Sequence, residues 1–456
     1  MTHKTIQTTC PYCGVGCGVE AKVDVKKHAL KIQGDKNHPA NFGRLCSKGS
    51  ALAETIDLSS RLLQPQIYGQ NSNWSETLDL VADTFSRTIK EHGPDSVAFY
   101  VSGQLLNEDY YVANKLMKGF IGSANIDTNS RLCMSSAVAG YKRAFGADIV
   151  PGCYEDYELA DMIVLIGSNA AWCHPVSFQR IRAAKEKNPN LKVVVIDPRR
   201  TASCDIADLH LPISIGSDVA LFNGLLNYLA ENKVCDKDYI EAYTEGFDQA
   251  IKTAEQDADL STLATYCGLE EKDIKQFYEW FAEHKKVMSL YCQGVNQSSS
   301  GTDKANSIIN CHLATGSIGQ PGTGPFSLTG QPNAMGGREV GGLSNQLAAH
   351  MEFTPDDVAR VATFWDSENI ATKSGYTAVD LFDAINEGKI KAVWIMATNP
   401  VVSMPNADKV KTALQKCEFV VVSDCVARTD TLDLAHVKLP AMGWSEKDGT
   451  VTNSER

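Results

Sequence analysis

The residues best suited to chemistry stand near the start of the chain. Cys10, Cys13, Cys17 and Cys46 form the pattern C-x2-C-x3-C-x28-C, and Ser47-Lys48-Gly49 follows directly. Three cysteines within eight residues, in a glycine-rich loop, can hold three corners of an iron–sulfur cube, and a distant fourth can close it. Structural zinc usually takes two C-x2-C pairs or a Cys/His mixture, whereas Cys46 has no close partner. The spacing therefore favours a 4Fe-4S cluster over zinc, and either over idle thiols.

The bulk properties are those of a globular protein with several domains. The chain has 456 residues, of which 43% are hydrophobic and 21% charged, and its formal charge is -12. This length predicts two to four domains. The negative charge argues against nucleic acid as a partner.

The chain shows no targeting or membrane signal. Its first residues, MTHKTIQTT, contain no apolar h-region, twin-arginine pair or cleavage pattern, and no later segment has about 18 consecutive apolar residues. We therefore expect a cytoplasmic protein that does not enter a membrane. In that compartment the 14 cysteines are not a disulfide framework, and most of those outside the opening motif are expected to be small buried side chains.

Strand and helix patterns alternate after the opening motif. Residues 1–56 read as a small β-rich domain that carries the cluster, Trp74 to His92 as an amphipathic helix, and Ser96 to Val101 as a strand. The predicted fold class is α/β, with doubly wound units following the small domain. Residues 57–456 would hold two related nucleotide-binding units, about 57–340 and 341–456, with interleaving possible.

Two pairs of buried strands look like copies of one another. In the first pair, Met162 to Ile166 ends in Gly167-Ser168-Asn169, and Lys192 to Ile196 ends in Asp197-Pro198-Arg199-Arg200-Thr201. In the second, Val393 to Met396 ends in Ala397-Thr398-Asn399, and Phe419 to Val422 ends in Ser423-Asp424. Ligands of open parallel sheets bind beyond the carboxyl ends of the strands, where these polar residues fall.

The polar turns are of the kind found in nucleotide-binding sites, but they do not establish such a site. An aspartate after the second strand can accept hydrogen bonds from ribose hydroxyls, and Arg199 or Arg200 can bind phosphate. Ordinary turn residues are the alternative for any single position. The chain lacks G-x-G-x-x-G, so a standard NAD site is not supported. A Gly-, Gln- and Asn-rich stretch, residues 293–342, is expected to be an ordered loop around a polar ligand, with a helix-like run from Ile308 to Ile318 in its middle.

The opening motif and the stretch from Asn129 to Gly140 together resemble the molybdopterin oxidoreductases, which bind a bis(molybdopterin guanine dinucleotide). Within that family the chain looks most like the catalytic subunit of assimilatory nitrate reductase. The resemblance implies that Cys133 is the protein ligand to molybdenum, although a buried cysteine at a helix start is the alternative. It also implies that Lys48 lies between cluster and pterin, where the alternative is a solvated surface lysine.

The resemblance extends to positions that contact the cofactor in related enzymes. Matching positions here are Lys48, Gln104, Asn129, Cys133, Gly167, Ser168, Asn169, Asp197, Pro198, Arg199, Thr201, Gly216, Asp218, Gln293, Gln297, Asn399, Ser423 and Asp424. Relatives often carry methionine where this chain has Gln293. Arg338 is a candidate for steering an anionic substrate, with a surface arginine as the alternative.

The implied activity is the reduction of nitrate to nitrite by oxygen-atom transfer, with electrons entering through the cluster. Ferredoxin or an NADH-oxidising flavoprotein would be the donor. Formate dehydrogenases of this group typically follow the metal ligand with histidine, whereas this chain has Met134. A formate dehydrogenase-like enzyme and a non-catalytic iron–sulfur electron-transfer subunit remain the alternatives.

The end of the sequence departs from the resemblance. Residues 446–456 resemble a motif that members of the family follow with a large further portion. We therefore expect a C-terminal β-barrel-like domain, which closes over the pterins, to be missing from these 456 residues.

Overall fold

A computed structural model describes residues 3–24 and 29–455 of the chain. Its residues group into two compact units. Unit 1 comprises Met1–Ser50, Cys133–Gly330 and Ser454–Arg456, and unit 2 comprises Ala51–Leu132 and Gln331–Asn453. The two units are thus interleaved along the chain.

The elements are given in chain order. The strands are β1 (His3–Thr9), β2 (Gly18–Asp24), β3 (Ala29–Gly34), β4 (Gln66–Ile67), β5 (Gln70–Asn71), β6 (Val97–Val101), β7 (Ile126–Thr128), β8 (Met162–Ile166), β9 (Lys192–Ile196), β10 (Leu209–Leu211), β11 (Val287–Tyr291), β12 (Gly324–Ser327), β13 (Ala392–Met396), β14 (Phe419–Asp424) and β15 (Val437–Pro440).

The α-helices are α1 (Ser47–Ser50), α2 (Trp74–His92), α3 (Asn107–Asn114), α4 (Arg131–Phe145), α5 (Asp156–Leu159), α6 (Ala170–Cys173), α7 (Pro175–Lys187), α8 (Asp218–Glu231), α9 (Lys237–Tyr243), α10 (Phe247–Ala254), α11 (Leu260–Cys267), α12 (Glu271–Glu283), α13 (Gln293–Asn296), α14 (Gly301–Ala314), α15 (Ala334–Glu339), α16 (Pro355–Trp365), α17 (Ala378–Asn386), α18 (Pro400–Ser403) and α19 (Ala407–Lys416).

Unit 1 contains two sheets. Strands β1, β2 and β3 form an antiparallel sheet in that order. The second sheet has the order β10-β9-β8-β11-β12 and all its neighbouring strands are parallel. Every residue of β8 and β11 is buried, as expected where helices cover both faces of a parallel sheet. Helices α8 and α14 contribute Leu221, Leu225 and Ile308 to the adjoining core.

Unit 2 is built around one sheet with the order β5-β4-β15-β14-β13-β6-β7. The five strands from β15 to β7 are parallel, and β4 and β5 join the β15 edge in antiparallel pairing. Alternate residues of β6 enter different cores: Ala98 and Tyr100 pack in one cluster, and Val97 and Phe99 in another. This alternation shows that both faces of the sheet are covered.

Helix α2 shows how local sequence sets an element's limits. The Asn73 side chain accepts a hydrogen bond from the backbone N–H of Glu76 at 2.9 Å, which caps the helix start. Val81 and Phe85 lie on its buried face. The helix runs over Trp74–His92, the range that the apolar periodicity predicted.

The structure confirms the predicted α/β class and the small β-rich opening. It corrects the expectation for residues 293–342, which are not mainly loop because they contain α13, α14, β12 and α15. The predicted helix-like run from Ile308 to Ile318 overlaps α14, which covers Gly301–Ala314 and buries Ala305, Ile308 and Ile309. The polar residues in its first two turns concealed where this helix begins. The domain limits predicted at 56/57 and 340/341 stay predictions; the compact units divide at other positions.

Candidate functional site

The parallel sheet of unit 1 gathers most of the predicted site residues at one edge. Turns at the carboxyl ends of its strands carry Gly167, Ser168, Asn169, Asp197, Pro198, Arg199, Thr201, Gly216, Asp218, Gln293 and Gln297. Parallel strands end on the same side, so four separate chain segments, after β8, β9, β10 and β11, contribute to this edge. Open α/β sheets bind their ligands at this edge, which is formed by the carboxyl ends of the strands.

A pair of glycines lets two of these turns meet backbone to backbone. The N–H of Gly294, after β11, donates to the carbonyl of Gly167, after β8, at 2.9 Å. A Cβ on Gly167 would lie 2.7 Å from the Gly294 Cα, and Gly167 also has a φ of +51°. Larger residues would push the two turns apart.

Cys133 lies in the first turn of α4 and joins this edge through Gln293. The Gln293 side-chain amide, Nε2, donates to Cys133 Sγ at 2.8 Å. One turn further on, the Ser136 hydroxyl donates to the carbonyl of Asn296 at 2.7 Å, which attaches α4 to α13. Cys133 is half-buried, while Met134 is buried in the core. The thiolate is the form of cysteine that binds metals, and the Gln293 amide can donate to it.

The four cysteines of the opening motif gather beside the antiparallel sheet. The backbone N–H of Cys10 donates to the carbonyl of Cys17 at 2.8 Å, which closes the loop between β1 and β2. Burial raises the pKa of the Cys10 thiol to about 11. The hydrogen bond from the Tyr12 N–H lowers this pKa, and the nearby Cys13 and Cys46 raise it further. Burial and the same neighbouring thiols also raise the pKa of Cys17. The four sulfurs therefore belong to one cluster of interacting groups.

The spacing of these sulfurs disfavours a single zinc ion. A tetrahedral zinc with Zn–S bonds of about 2.3 Å needs sulfurs about 3.8 Å apart. Among residues 3–24 and 29–455, no three of the motif's sulfurs lie within 4.8 Å of one another. A wider site of this kind suits a cluster of several irons.

The segment after β12 connects the cysteine loop with the edge of the sheet. The N–H of Gly14 donates to the carbonyl of Gly330 at 3.2 Å, and a Cβ on Gly14 would overlap the carbonyl oxygen of Thr329. On the other side, a Cβ on Gly330 would lie 3.7 Å from both Cys133 Sγ and Gln293 Nε2. One short segment therefore touches both the cysteine loop and the Cys133 region of unit 1.

Buried polar atoms collect at this edge without partners. Within the described part of the chain, hydrogen-bond partners are absent for Ser168 Oγ, Asn169 Oδ1, His174 Nδ1, Gln293 Oε1, Asn296 Oδ1 and Thr329 Oγ1. Unsatisfied buried polar atoms are costly, so such a concentration indicates a polar ligand or ordered water. The pterin and phosphate groups of the predicted cofactor carry donors and acceptors of the kind that could satisfy these atoms.

His174 is one of the site residues that sequence reasoning missed. Its ring is buried, and its Nε2 lies 2.8 Å from the carbonyl oxygen of Thr329, so Nε2 carries the proton and Nδ1 is an acceptor. Burial lowers the pKa of His174, and the charge of Lys48 lowers it further, whereas the hydrogen bond to the Thr329 carbonyl raises it. The imidazole is therefore neutral. Only the fold places it, Asn296 and Thr329 at this edge.

Lys48, by contrast, lies at the surface of α1. Its side chain is exposed, and its ammonium nitrogen is 5.6 Å from the centre of the Tyr12 ring, next to Cys13. Its position beside the cysteine loop is compatible with the predicted role in electron passage. That role stays a prediction.

Asp218 has a partner within the protein. Its carboxylate forms an ion pair with the Lys304 ammonium at 2.7 Å, and both side chains are buried. Lys304 also donates to the carbonyl of Gly294 at 3.5 Å. A structural ion pair is therefore one function of Asp218, and the predicted contact with the cofactor would involve its remaining lone pairs.

We expect the Lys304→Met variant to be less stable by about 3–5 kcal/mol, because it leaves the buried Asp218 carboxylate without its partner. The measurement is urea unfolding of the wild type and the variant at neutral pH. Lys272→Met, at an exposed position of α12, is the matched control and should change stability by less than about 0.5 kcal/mol. Equal midpoints for both variants would show that Asp218 does not depend on Lys304.

Unit 2 holds the remaining predicted residues at the carboxyl ends of its parallel strands. Asn129, after β7, is the best connected: its Oδ1 accepts from the Gly103 N–H at 3.0 Å and from Gln331 Nε2 at 2.8 Å. Its Nδ2 donates to Thr398 Oγ1 at 3.1 Å. Asn129 therefore ties together the turns after three neighbouring strands, β6, β7 and β13.

The other polar residues of this edge also have partners in the protein. Asn399 Oδ1 accepts from the Thr431 hydroxyl at 2.7 Å, and Ser423 Oγ accepts from the Trp394 indole N–H at 2.8 Å. Asp424 Oδ1 accepts from the Val426 N–H at 3.2 Å, while burial raises its pKa. Gln104 is exposed. These side chains thus make the hydrogen bonds expected of ordinary turn residues. Contacts of these residues with a cofactor stay predictions.

Arg338 is not a surface residue. It lies in α15 and is 3% exposed, which excludes the surface-arginine alternative. The segment that begins with Arg338, residues 338–346, is held by a lysine that has no local sequence signature. The fully buried Lys118 donates to three of its carbonyls.

Comparisons with known proteins agree with this geometry. The model of the molybdopterin oxidoreductase family matches residues 61–456, and that of the molybdopterin oxidoreductase Fe4S4 domain matches residues 3–58. The chain belongs to the molybdopterin oxidoreductase family. Its cofactors are accordingly a 4Fe-4S cluster and a molybdopterin, as the sequence predicted.

Two curated relatives of this molybdopterin oxidoreductase are named nitrate reductase. That of Klebsiella oxytoca is 58% identical over 99% of the chain and 51% of its own length. That of Shewanella frigidimarina is 56% identical over 99% of the chain and 49% of its own length. The chain therefore spans about half the length of these relatives.

A solved structure shares the fold. Acetylene hydratase from Pelobacter acetylenicus superposes with a TM-score of 0.78 over 97% of this chain and 63% of its own, at 19% sequence identity. At that identity the likeness concerns the fold alone. In the part of the chain that the structure describes, no helix is both long and apolar enough to cross a bilayer.

Proposed function

We propose that the protein to which this chain belongs reduces nitrate to nitrite. The observation that carries the proposal is the hydrogen bond that joins the Cys133 thiol, through Gln293, to the carboxyl edge of the unit 1 sheet. Buried polar atoms without a hydrogen-bond partner in the described part of the chain line this edge. The two relatives named nitrate reductase, at 58% and 56% identity, support nitrate as the substrate. The proposal concerns the whole protein, of which this chain supplies the cysteine loop and both α/β units.

The residues take distinct parts in this proposal. When bound, the molybdenum centre supplies oxygen-atom transfer: nitrate, two electrons and two protons give nitrite and water. Cys133 holds the metal, and Cys10, Cys13, Cys17 and Cys46 hold the cluster through which the electrons enter. The amides and hydroxyls at the edge of unit 1 and at that of unit 2 orient the dinucleotide arms. Lys48 assists electron passage, and Arg338 attracts the nitrate anion.

The setting of the reaction is part of the proposal. We assign the enzyme to nitrate assimilation in the cytoplasm, because none of the 14 cysteines, all of which lie in the described part of the chain, forms a disulfide, and a chain rich in thiols suits a reducing compartment. The electron donor is ferredoxin or a flavoprotein that oxidises NADH.

Formate oxidation is the competing activity within the family. Met134 is buried in the core beside Cys133, where a residue that handles protons would be needed for formate. Methionine has no titratable group, and this favours oxygen-atom transfer.

The test is metal analysis of the anaerobically purified full-length protein, combined with nitrite production from nitrate with reduced methyl viologen. We expect molybdenum, about four irons per protein for the cluster and nitrite formation. Formate-dependent dye reduction without nitrite would overturn the assignment to nitrate. Iron without molybdenum in an inactive protein would instead indicate an electron-transfer subunit.

Gln293 offers a prediction specific to this chain. An N–H donor weakens electron donation by a thiolate sulfur and so raises the potential of the metal that the sulfur binds. We expect Gln293→Met to lower the Mo(VI)/Mo(V) midpoint potential by tens of millivolts, given about 60 mV for each ~1.4 kcal/mol in a one-electron couple. The measurement is a redox titration followed by electron paramagnetic resonance. Gln249→Met, at an exposed position of α10, should leave the potential unchanged.

A further inference from the structure

Lys118 is a buried cation in unit 2 that no step of the proposed reaction uses. It lies in the π-helical stretch Lys115–Ile121, which directly follows α3, and its side chain is fully buried. Its ammonium group donates to the carbonyls of Gly341 at 2.5 Å, Leu343 at 2.8 Å and Gln346 at 2.6 Å. Short π-helical stretches occur often at functional sites.

These three contacts require the charged form of the lysine. An ammonium has three N–H donors and an amine only two, so all three carbonyls are satisfied only when Lys118 is protonated. Burial lowers the pKa of Lys118 to about 7, while the nearby Asp127 carboxylate raises it and Arg131 lowers it. A buried cation is expensive to maintain, and an apolar side chain of similar size would fill the space at less cost. An apolar residue, however, could not donate hydrogen bonds to the three carbonyls.

The segment that Lys118 holds is continuous with Arg338. The side-chain amide of Gln346 donates to the carbonyl of Arg338, so the contact between Lys118 and Gln346 is relayed to the arginine backbone. Two further anchors support the same segment: Asn114 Nδ2 donates to the carbonyl of Val340 at 2.8 Å, and the Ser344 N–H donates to Asp127 Oδ1 at 3.2 Å. Lys118 is the central anchor because it contacts the segment at three points.

We propose that Lys118 is a positioning residue that fixes the 338–346 segment and thereby holds Arg338 in place for the anionic substrate. The inference rests on the proposed function, in which Arg338 attracts nitrate. The three N–H donors of Lys118 are taken up by backbone carbonyls of this segment. Its effect on the reaction passes through the arginine.

The test is the Lys118→Met variant of the full-length enzyme, which keeps the length and apolar stem of the side chain but removes its three donors. We expect the KM for nitrate, with reduced methyl viologen as donor, to rise at least about tenfold and kcat to change less than about threefold, because misplacement of about 1 Å can cost as much as 10²-fold. Lys115→Met is the matched control on the same helical stretch. Lys115 is half-buried beside Phe120, and its loss should leave both constants within about twofold.

A double-mutant cycle separates positioning from general damage. If Lys118 acts through Arg338, then Arg338→Gln with Lys118→Met should have the same KM as Arg338→Gln alone. Additive effects of the two substitutions would overturn the proposal. So would a Lys118→Met enzyme with unchanged KM, or one that loses kcat alone.

Amide hydrogen exchange gives a second readout that does not depend on nitrate turnover. Peptides covering residues 338–346 should exchange faster in Lys118→Met than in Lys115→Met, since three hydrogen bonds to this segment are lost. Unchanged exchange would overturn the proposal. If the wild type turns over formate instead of nitrate, the proposed function fails, and the same KM comparison made with formate still decides whether Lys118 positions Arg338.

Discussion

Replacing Cys133 by alanine should nearly abolish nitrite production while leaving the iron content intact. The thiol is the group that we assign as the protein ligand to molybdenum, and the structure places it in the first turn of α4, 2.8 Å from the Gln293 amide. Loss of an outer partner of a metal ligand costs roughly 10–100-fold in affinity or activity. Loss of the ligand itself should exceed that range, and we expect a decrease larger than about 100-fold.

The measurement combines nitrite formation, iron and molybdenum content, and the Mo(V) signal in electron paramagnetic resonance. The matched control is Cys235→Ala, since Cys235 is another half-buried cysteine of unit 1 and packs against its core. Its activity should stay within a few-fold of the wild type. An active Cys133→Ala enzyme with an unaltered Mo(V) signal would remove Cys133 from the coordination sphere.

The strands and the cysteine loop were accessible from sequence because each has a local signature. Met162 to Ile166 and Lys192 to Ile196 are continuous apolar runs bounded by polar turns, and both are strands with those limits. Parallel pairing carries both turns to the same edge, so the sequence places Gly167 and Asp197 at the carboxyl ends of neighbouring strands, and their contact with a cofactor stays a prediction. Helix α2 was equally clear from its apolar period, and the structure adds the Asn73 cap at its start.

The partners of the site residues could not be read from sequence. Lys304 pairs with Asp218 across 86 positions of the chain, and Lys118 contacts residues 341–346 more than 220 positions away. A lysine in a helix is usually a solvated residue, and nothing local distinguishes a buried one. Arg338 illustrates the same limit, because only the packing of α15 shows that its side chain is buried. Tertiary context decides such cases.

Replacing Cys46 by alanine should remove the iron–sulfur cluster and stop electron entry. Cys46 immediately precedes α1 and is the only cysteine of the motif outside the loop between β1 and β2. Without it, three thiols remain for four irons, and the remaining cube is open to solvent. We expect iron to decrease from about four per protein to three or fewer, and nitrite formation with methyl viologen to decrease by more than about 100-fold.

Molybdenum content distinguishes this loss from misfolding. The residues of unit 1 that we propose to bind the pterin lie at the carboxyl edge of the β10-β9-β8-β11-β12 sheet, and the substitution changes none of them. A folded Cys46→Ala protein should therefore keep its molybdenum while losing the visible absorbance of the iron–sulfur cluster. Cys235→Ala is again the control. Full iron content in Cys46→Ala would show that another residue closes the cluster, whereas loss of both metals would mean that the cysteine loop also stabilises the pterin site, through the contact of Gly14 with Gly330.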